Sequence, residues 1–206
     1  MHIKIFNENP YKQNTYIYYN ETTKNAIIID PGLSKTQILK VIEKYTVIAI
    51  ILTHGHFDHI FSLQKVKEVT NADVYAYVEE KQLLLSPKLN MSNPTGTKNS
   101  SIIANADIYV THGEILQFMD ISFKVIHTPG HTSGGMSLYD ETNGVLFSGD
   151  TLFKQSVGRT DLPTSNYDDL VKSLNTLMKL PNETIVYSGH GEPTTIGHER
   201  ENNPYV

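Results

Sequence analysis

The sequence predicts an α/β fold from three observations: β-branched and aromatic runs of strand length recur from end to end, segments of helical period lie between them, and no linker composition interrupts them. The runs occupy residues 2–6, 15–19, 26–29 and 48–52, then 121–126, 136–139, 145–147 and 184–187, most of them bounded by turn residues. After the third run, Ile38, Leu39, Ile42 and Tyr45 fall on one helical face, with Ser34 and Gln37 at capping-box spacing. Ile60, Leu63 and Val66 form a similar stripe after the fourth run. Leu170, Val171, Leu174, Leu177 and Met178 form another after Ser165, and Pro181 stops it. Residues 86–107 are the one long irregular stretch, which reads as a lid near the site. Lacking a glycine- or serine-rich tract or a charge block, the chain is expected to form one domain over residues 1–206.

With 206 residues, 39% of them hydrophobic, the chain can bury enough core to fold unaided. It has no cysteine, which excludes disulfides, thiolate-held zinc and a cysteine nucleophile, while nine histidines are available. A formal charge of −5 is the wrong sign for gripping phosphate backbones or anionic lipid. The N-terminus MHIKIFNENP lacks the pattern of a secretory signal, and no stretch approaches the ~20 apolar residues that cross a bilayer. The expectation is a cytoplasmic protein, monomeric or a small homo-oligomer, acting on a small molecule and on neither nucleic acid nor membrane.

Five polar segments directly follow apolar runs: Asp30-Pro-Gly, His54-Gly-His56-Phe-Asp58-His59, Thr-Pro-Gly-His131, Ser-Gly-Asp150 and Ser-Gly-His190. Buried strands that release such groups at their carboxyl ends line one rim of a sheet, where open α/β folds build their sites. The donors are imidazoles and carboxylates, a set that suits zinc, iron or manganese and is too large for one tetrahedral ion. Two divalent ions would use it, zinc being the first choice and iron or manganese the alternatives. His54 and His56, two apart in an extended turn, can chelate one ion, Asp58 and His59 can turn toward a second, and Asp150 is the natural bridge. Asp30, ahead of Pro-Gly, reads as a turn former or a hydrogen-bond partner of a ligand. His2, His112, His127 and His198 lack any such setting.

The segment THGHFDH resembles the metal motif of the metallo-β-lactamase superfamily, and TPGHTSGG, FSGDTLF and SGHG follow in the superfamily's order. The resemblance implies an αββα sandwich of two packed mixed β-sheets flanked by helices. It implies one ion on His54, His56 and His131, another on Asp58, His59 and His190, and Asp150 bridging. The segments TPGHTSGG, SGDTLF, VGRTDLP and TTIGHERENNPY look like the glyoxalase II group, the hydroxyacylglutathione hydrolases, in its short bacterial forms. That implies hydrolysis of a thioester such as S-lactoylglutathione by a hydroxide shared between the ions and oriented by Asp58 and Asp150. Arg159, in VGRT, resembles a basic residue that such enzymes set on a substrate carboxylate, against the plainer reading of a solvated or salt-bridged arginine. Zinc β-lactamases commonly place a cysteine at the second ion, which this chain lacks. A mono-iron persulfide dioxygenase and a lactonase on the same fold are the competing activities, and a non-catalytic metal-binding module is the competing class.

Overall fold

A computed structural model describes residues 1–32, 35–96 and 101–206. They form two compact units, Met1–Tyr109 and Val110–Val206, a division that no change in composition announces.

In the first unit, β1 (His2–Phe6), β2 (Thr15–Tyr19) and β3 (Asn25–Ile29) are antiparallel neighbours, β4 (Thr46–Ile51) and β5 (Val74–Tyr77) continue parallel to β3, and β6 (Ile108–Val110) completes the order β1-β2-β3-β4-β5-β6. Parallel neighbours require crossovers. Helix α1 (Lys35–Ile42) connects β3 to β4, and α2 (Phe57–Ile60) with α3 (Leu63–Thr70) connects β4 to β5. Ile17, Ala26, Ile28, Ile50 and Val74 share one apolar cluster with Ile60, Leu63 and Val66. The alternate positions Tyr16, Tyr18, Ile27, Ile29 and Ile51 are also buried, so these strands read as continuous apolar runs.

The stripe at Ile60, Leu63 and Val66 spans two short helices, because the chain breaks at Ser62, whose N–H donates to Pro31 O at 2.8 Å. Helix α3 stops at Asn71, in the left-handed region at φ 54°. Ser34, the expected cap, lies outside the described residues. A turn at Val78–Glu80 leads from β5 into α4 (Lys81–Leu85).

The described parts of the 86–107 segment, expected to be a lid, are tied into the first unit by buried hydrogen bonds. Asn90 is fully buried, its carbonyl accepts the Phe57 N–H at 2.9 Å, and its amide donates to Ile102 O at 2.8 Å. Ile102 N–H in turn donates to Ser92 Oγ at 3.0 Å. Residues 97–100 lie outside the described residues.

In the second unit, β7 (Ile115–Phe118), β8 (Ile121–His127), β9 (Met136–Asp140) and β10 (Val145–Gly149) form an antiparallel meander. After a small hairpin of β11 (Leu152–Phe153) and β12 (Ser156–Val157), the crossover helix α5 (Tyr167–Leu177) returns the chain as β13 (Ile185–Ser188), parallel to β10. β14 (Thr194–Thr195) pairs antiparallel with β13, and α6 (Ile196–Asn202) follows it.

Asn166 caps α5 by accepting the Asp169 N–H at 3.0 Å, and Leu170, Leu174 and Leu177 bury one face with Ile126, Leu146 and Val186. Leu174→Ala is expected to lower unfolding free energy by about 2–5 kcal/mol in denaturant titrations. A loss below about 1 kcal/mol would mean that the helix face closes over the gap. Among the described residues, no helix is long and apolar enough to cross a membrane.

Candidate metal centre

Strand direction explains where the expected donors collect. In the first unit β3, β4 and β5 run parallel, so Asp30 after β3 and His54 to His59 after β4 leave the same rim. In the second unit β8, β10 and β13 share a direction, and His131, Asp150 and His190 follow their carboxyl ends.

Asp30, 1% exposed and held at φ 52°, organises the first group. Its Oδ1 accepts the Thr53 N–H at 2.7 Å, and its Oδ2 accepts the Thr53 hydroxyl at 2.6 Å and His59 Nδ1 at 2.9 Å. The Thr53 hydroxyl has one hydrogen, already given to Asp30, so its oxygen accepts from His54 Nδ1 at 3.2 Å. Both rings therefore carry their proton on Nδ1 and present the Nε2 lone pair, the arrangement by which supporting carboxylates prepare histidine ligands. Donor atoms of Asp30, His54 and His59 lie within 4.8 Å of one another, and the His54 ring stands 4.9 Å from that of His56. With all its acceptor contacts made inward, Asp30 acts as the supporting partner.

The second group is built around Asp150, whose Oδ2 lies 3.5 Å from His131 Nε2 and 3.6 Å from His190 Nε2. Asp150 and His190 are neighbours because β10 and β13 pair with Gly149 opposite Ser188, and Gly189 N–H donates to Gly149 O at 2.8 Å. His131 Nδ1 donates to Arg159 O at 2.9 Å, which again leaves the ring's lone pair on Nε2.

Two glycines permit the close approaches. At Gly130, φ 140°, a Cβ would stand 2.4 Å from Leu170 Cα. At Gly158 it would stand 1.8 Å from Asp150 O. Helix α5 braces the His131 loop from behind, with Ser173 Oγ donating to Pro129 O at 2.6 Å and Asn166 N–H to Gly130 O at 2.8 Å.

The residues fit divalent metal. His131 Nε2 and Asp150 Oδ2 are both acceptors once Nδ1 carries the ring proton, and the same holds for His59 Nε2 and Asp58 Oδ2 at 3.9 Å. A divalent ion beside either pair would accept a lone pair from both members. The nitrogen and oxygen donors, and the absence of sulfur, suit zinc, iron or manganese.

Arg159 is the fork of an exposed ion pair, Nε to Asp161 Oδ1 at 2.6 Å and Nη2 to Asp161 Oδ2 at 2.7 Å. That hydrogen-bonded pairing raises the arginine's pKa and lowers the aspartate's. Its backbone carbonyl, by contrast, holds His131, a role no sequence pattern announces. His2 stacks on Tyr19, His127 N–H donates to His112 Nδ1 at 3.1 Å and His198 approaches Gln155 at 3.3 Å. None of the four joins a group of potential metal donors among the described residues.

Comparison with known proteins identifies the family. The profile of the metallo-beta-lactamase superfamily matches residues 9–190. Hydroxyacylglutathione hydrolase GloC of Haemophilus influenzae is 32% identical over 209 residues, covering 100% of this chain and 98% of that protein. The crystal structure of BLEG-1, a B3 metallo-beta-lactamase, superposes with a TM-score of 0.92 at 40% identity, covering 99% of each chain. TTHA1623 in a di-iron-bound form superposes at 0.85 with 30% identity, covering 98% of this chain and 100% of that one. A two-sheet α/β chain with histidines and carboxylates at its strand ends, matched over this length, has the metallo-β-lactamase fold: the protein belongs to the metallo-β-lactamase superfamily, in which it resembles the glyoxalase II-like group.

Proposed function

We propose that the protein hydrolyses thioesters of hydroxy acids, S-lactoylglutathione or a relative on another cellular thiol, with His54, His56 and His131 holding one ion, Asp58, His59 and His190 a second, and Asp150 shared. The observation that carries the reading is that Nδ1 of His54, His59 and His131 each meets an oxygen, of Thr53, Asp30 and Arg159 in turn, which leaves Nε2 of each available to metal. Full-length likeness to GloC supports the substrate class. When bound, two divalent ions supply a nucleophile from water near neutral pH and positive charge for the developing oxyanion.

Asp58 and Asp150 orient the attacking water through their carboxylate oxygens. Asp30, through Thr53 and His59, keeps the imidazoles in the tautomer that binds metal. The leaving thiolate, with a parent pKa of roughly 8.5, departs as an anion and asks no proton of the protein. An amide nitrogen would need one, which favours thioesters and activated esters.

Arg159 would bind a substrate carboxylate by exchanging it for Asp161, and a solvent-screened surface ion pair offers little resistance. Arg159→Ala should raise KM for an anionic thioester while leaving kcat near wild type, since the backbone carbonyl that holds His131 is kept. Asp161→Asn should move KM the other way. An unchanged KM in both variants would return Arg159 to a surface ion pair.

Likeness to BLEG-1 favours a second reading, β-lactam hydrolysis, against the expectation drawn from the missing cysteine. A panel of S-lactoylglutathione, acyl esters of other cellular thiols, an acyl homoserine lactone and a chromogenic cephalosporin, assayed beside metal analysis, separates the readings. The thioesters should turn over fastest, stop on chelation and resume with zinc, iron or manganese. Preference for the cephalosporin would replace the thioester reading. One iron per chain with oxygen uptake on glutathione persulfide would replace hydrolysis altogether.

A further inference from the structure

A third acidic residue stands on the rim that carries Asp30 and the His54 loop. Strand β5 lies parallel to β4, and the turn at its carboxyl end delivers Glu80 beside the segment that follows β4. Glu80 is fully buried, next to Leu83 and Leu84, which are 1% and 0% exposed. Its Oε2 accepts the Gly55 N–H at 2.9 Å. A carboxylate is rarely buried completely unless a specific partner holds it there.

Gly55 separates His54 from His56, and His56 is extended at φ −64°, ψ 148°. In an extended segment, alternate N–H groups face the same edge. Those of Gly55 and Phe57 are taken by Glu80 Oε2 and by Asn90 O, the latter also at 2.9 Å. The backbone between the two histidines is thus pinned on one edge, while their rings are left to project from it.

We propose that Glu80 is a positioning residue, setting the spacing of His54 and His56 toward metal through its hydrogen bond to Gly55 N–H. In this role the side chain must be long enough for an oxygen to meet the Gly55 N–H. The inference rests on the metal-dependent reading of the protein, and its test measures metal binding directly.

Zinc affinity is measured by competition with a chromophoric chelator, and cobalt-substituted protein is examined by ligand-field absorption. Melting of each apoprotein reports whether it folds. Glu80→Asp keeps the charge but is one methylene too short to hold Gly55. Glu80→Gln keeps the length and a carbonyl oxygen acceptor but loses the charge. Glu80→Asp should weaken zinc binding by about 10–100-fold and shift the cobalt bands, whereas Glu80→Gln should stay within about threefold of wild type.

Wild-type affinity and spectrum in Glu80→Asp would overturn the proposal. So would a Glu80→Gln defect as large as that of Glu80→Asp, which would assign the effect to charge. Should Glu80→Asp fail to fold, Gly55→Ala tests the other end of the bond. Its Cβ would stand 2.7 and 2.8 Å from the flexible ends of Leu83 and Leu84 and 3.1 Å from Glu80 Oε2, pressing the carboxylate away by a few tenths of an ångström. A loss of affinity there supports the proposal, and unchanged affinity with an unchanged spectrum overturns it. Wild-type protein that binds neither zinc nor cobalt would overturn the metal centre and this inference with it, while equal binding by wild type and all variants would overturn the role of Glu80 alone.

Discussion

Asp150→Ala is expected to reduce thioester turnover by more than about 100-fold, beyond the 10–100-fold that follows loss of a supporting partner. The reason lies in what Asp150 faces. Its Oδ2 stands 3.5 Å from His131 Nε2 and 3.6 Å from His190 Nε2, rings assigned to different ions. On the proposed assignment, removing the carboxylate would take a ligand from both sites and an acceptor from the attacking water. Bound metal should fall from two ions per chain to one or fewer.

The fold should survive, because Asp150 sits in a loop after β10 whose course is held by backbone contacts, Thr151 N–H to Ser148 O at 3.2 Å and Gly189 N–H to Gly149 O at 2.8 Å. Apoprotein melting should match wild type, whereas metal-loaded wild type gains stability that the variant lacks. At a hundred times the dissociation constant, that linkage amounts to about 2.7 kcal/mol for one ion. Activity retained within about tenfold of wild type, with two metals still bound, would remove Asp150 from the metal set.

The metal-type residues were legible because each is carried by a short local string directly after an apolar run, and strand direction does the rest. His131, Asp150 and His190 lie far apart in sequence, yet β8, β10 and β13 run the same way and release them at one end of a sheet. The partners that orient these side chains were less legible. Thr53, Glu80, Asn90 and the carbonyl of Arg159 act through register and backbone direction, which no spacing encodes.

The same limit governs the fold. Strands β5, β6 and β7 hold four, three and four residues, too short for alternation to stand out, and are fixed by their neighbours in the sheet. The 86–107 segment is long and irregular, so it reads as a lid. What no spacing announces is that Asn90 within it is buried and bonds to Phe57 and Ile102. Asp30 stands between these cases: its string suggested a supporting role, and only the structure shows which two histidines it supports.

Asp30→Asn should therefore separate folding from metal binding. The amide has the shape of the carboxylate, and the Thr53 N–H, which can only donate, fixes the amide oxygen at the Oδ1 position. The NH₂ group then occupies the Oδ2 position, facing the Thr53 hydroxyl and His59 Nδ1 as a donor to both. His59 can meet it only by moving its own proton to Nε2. The Thr53 hydroxyl, now an acceptor, turns its hydrogen toward His54 Nδ1 and moves that ring's proton to Nε2 as well. Every hydrogen bond is remade, so the apoprotein should melt within a few degrees of wild type, yet both Nε2 atoms are protonated and lost as ligands. Zinc affinity should fall by about 10–100-fold or more, with a matching loss of turnover. Asp30→Ala should behave differently, leaving three buried groups without their acceptor and lowering stability by about 1–3 kcal/mol for each. Nitrogen chemical shifts of the two rings report the tautomers directly. Wild-type shifts and wild-type zinc affinity in Asp30→Asn would make Asp30 a turn former and place control of His54 and His59 elsewhere.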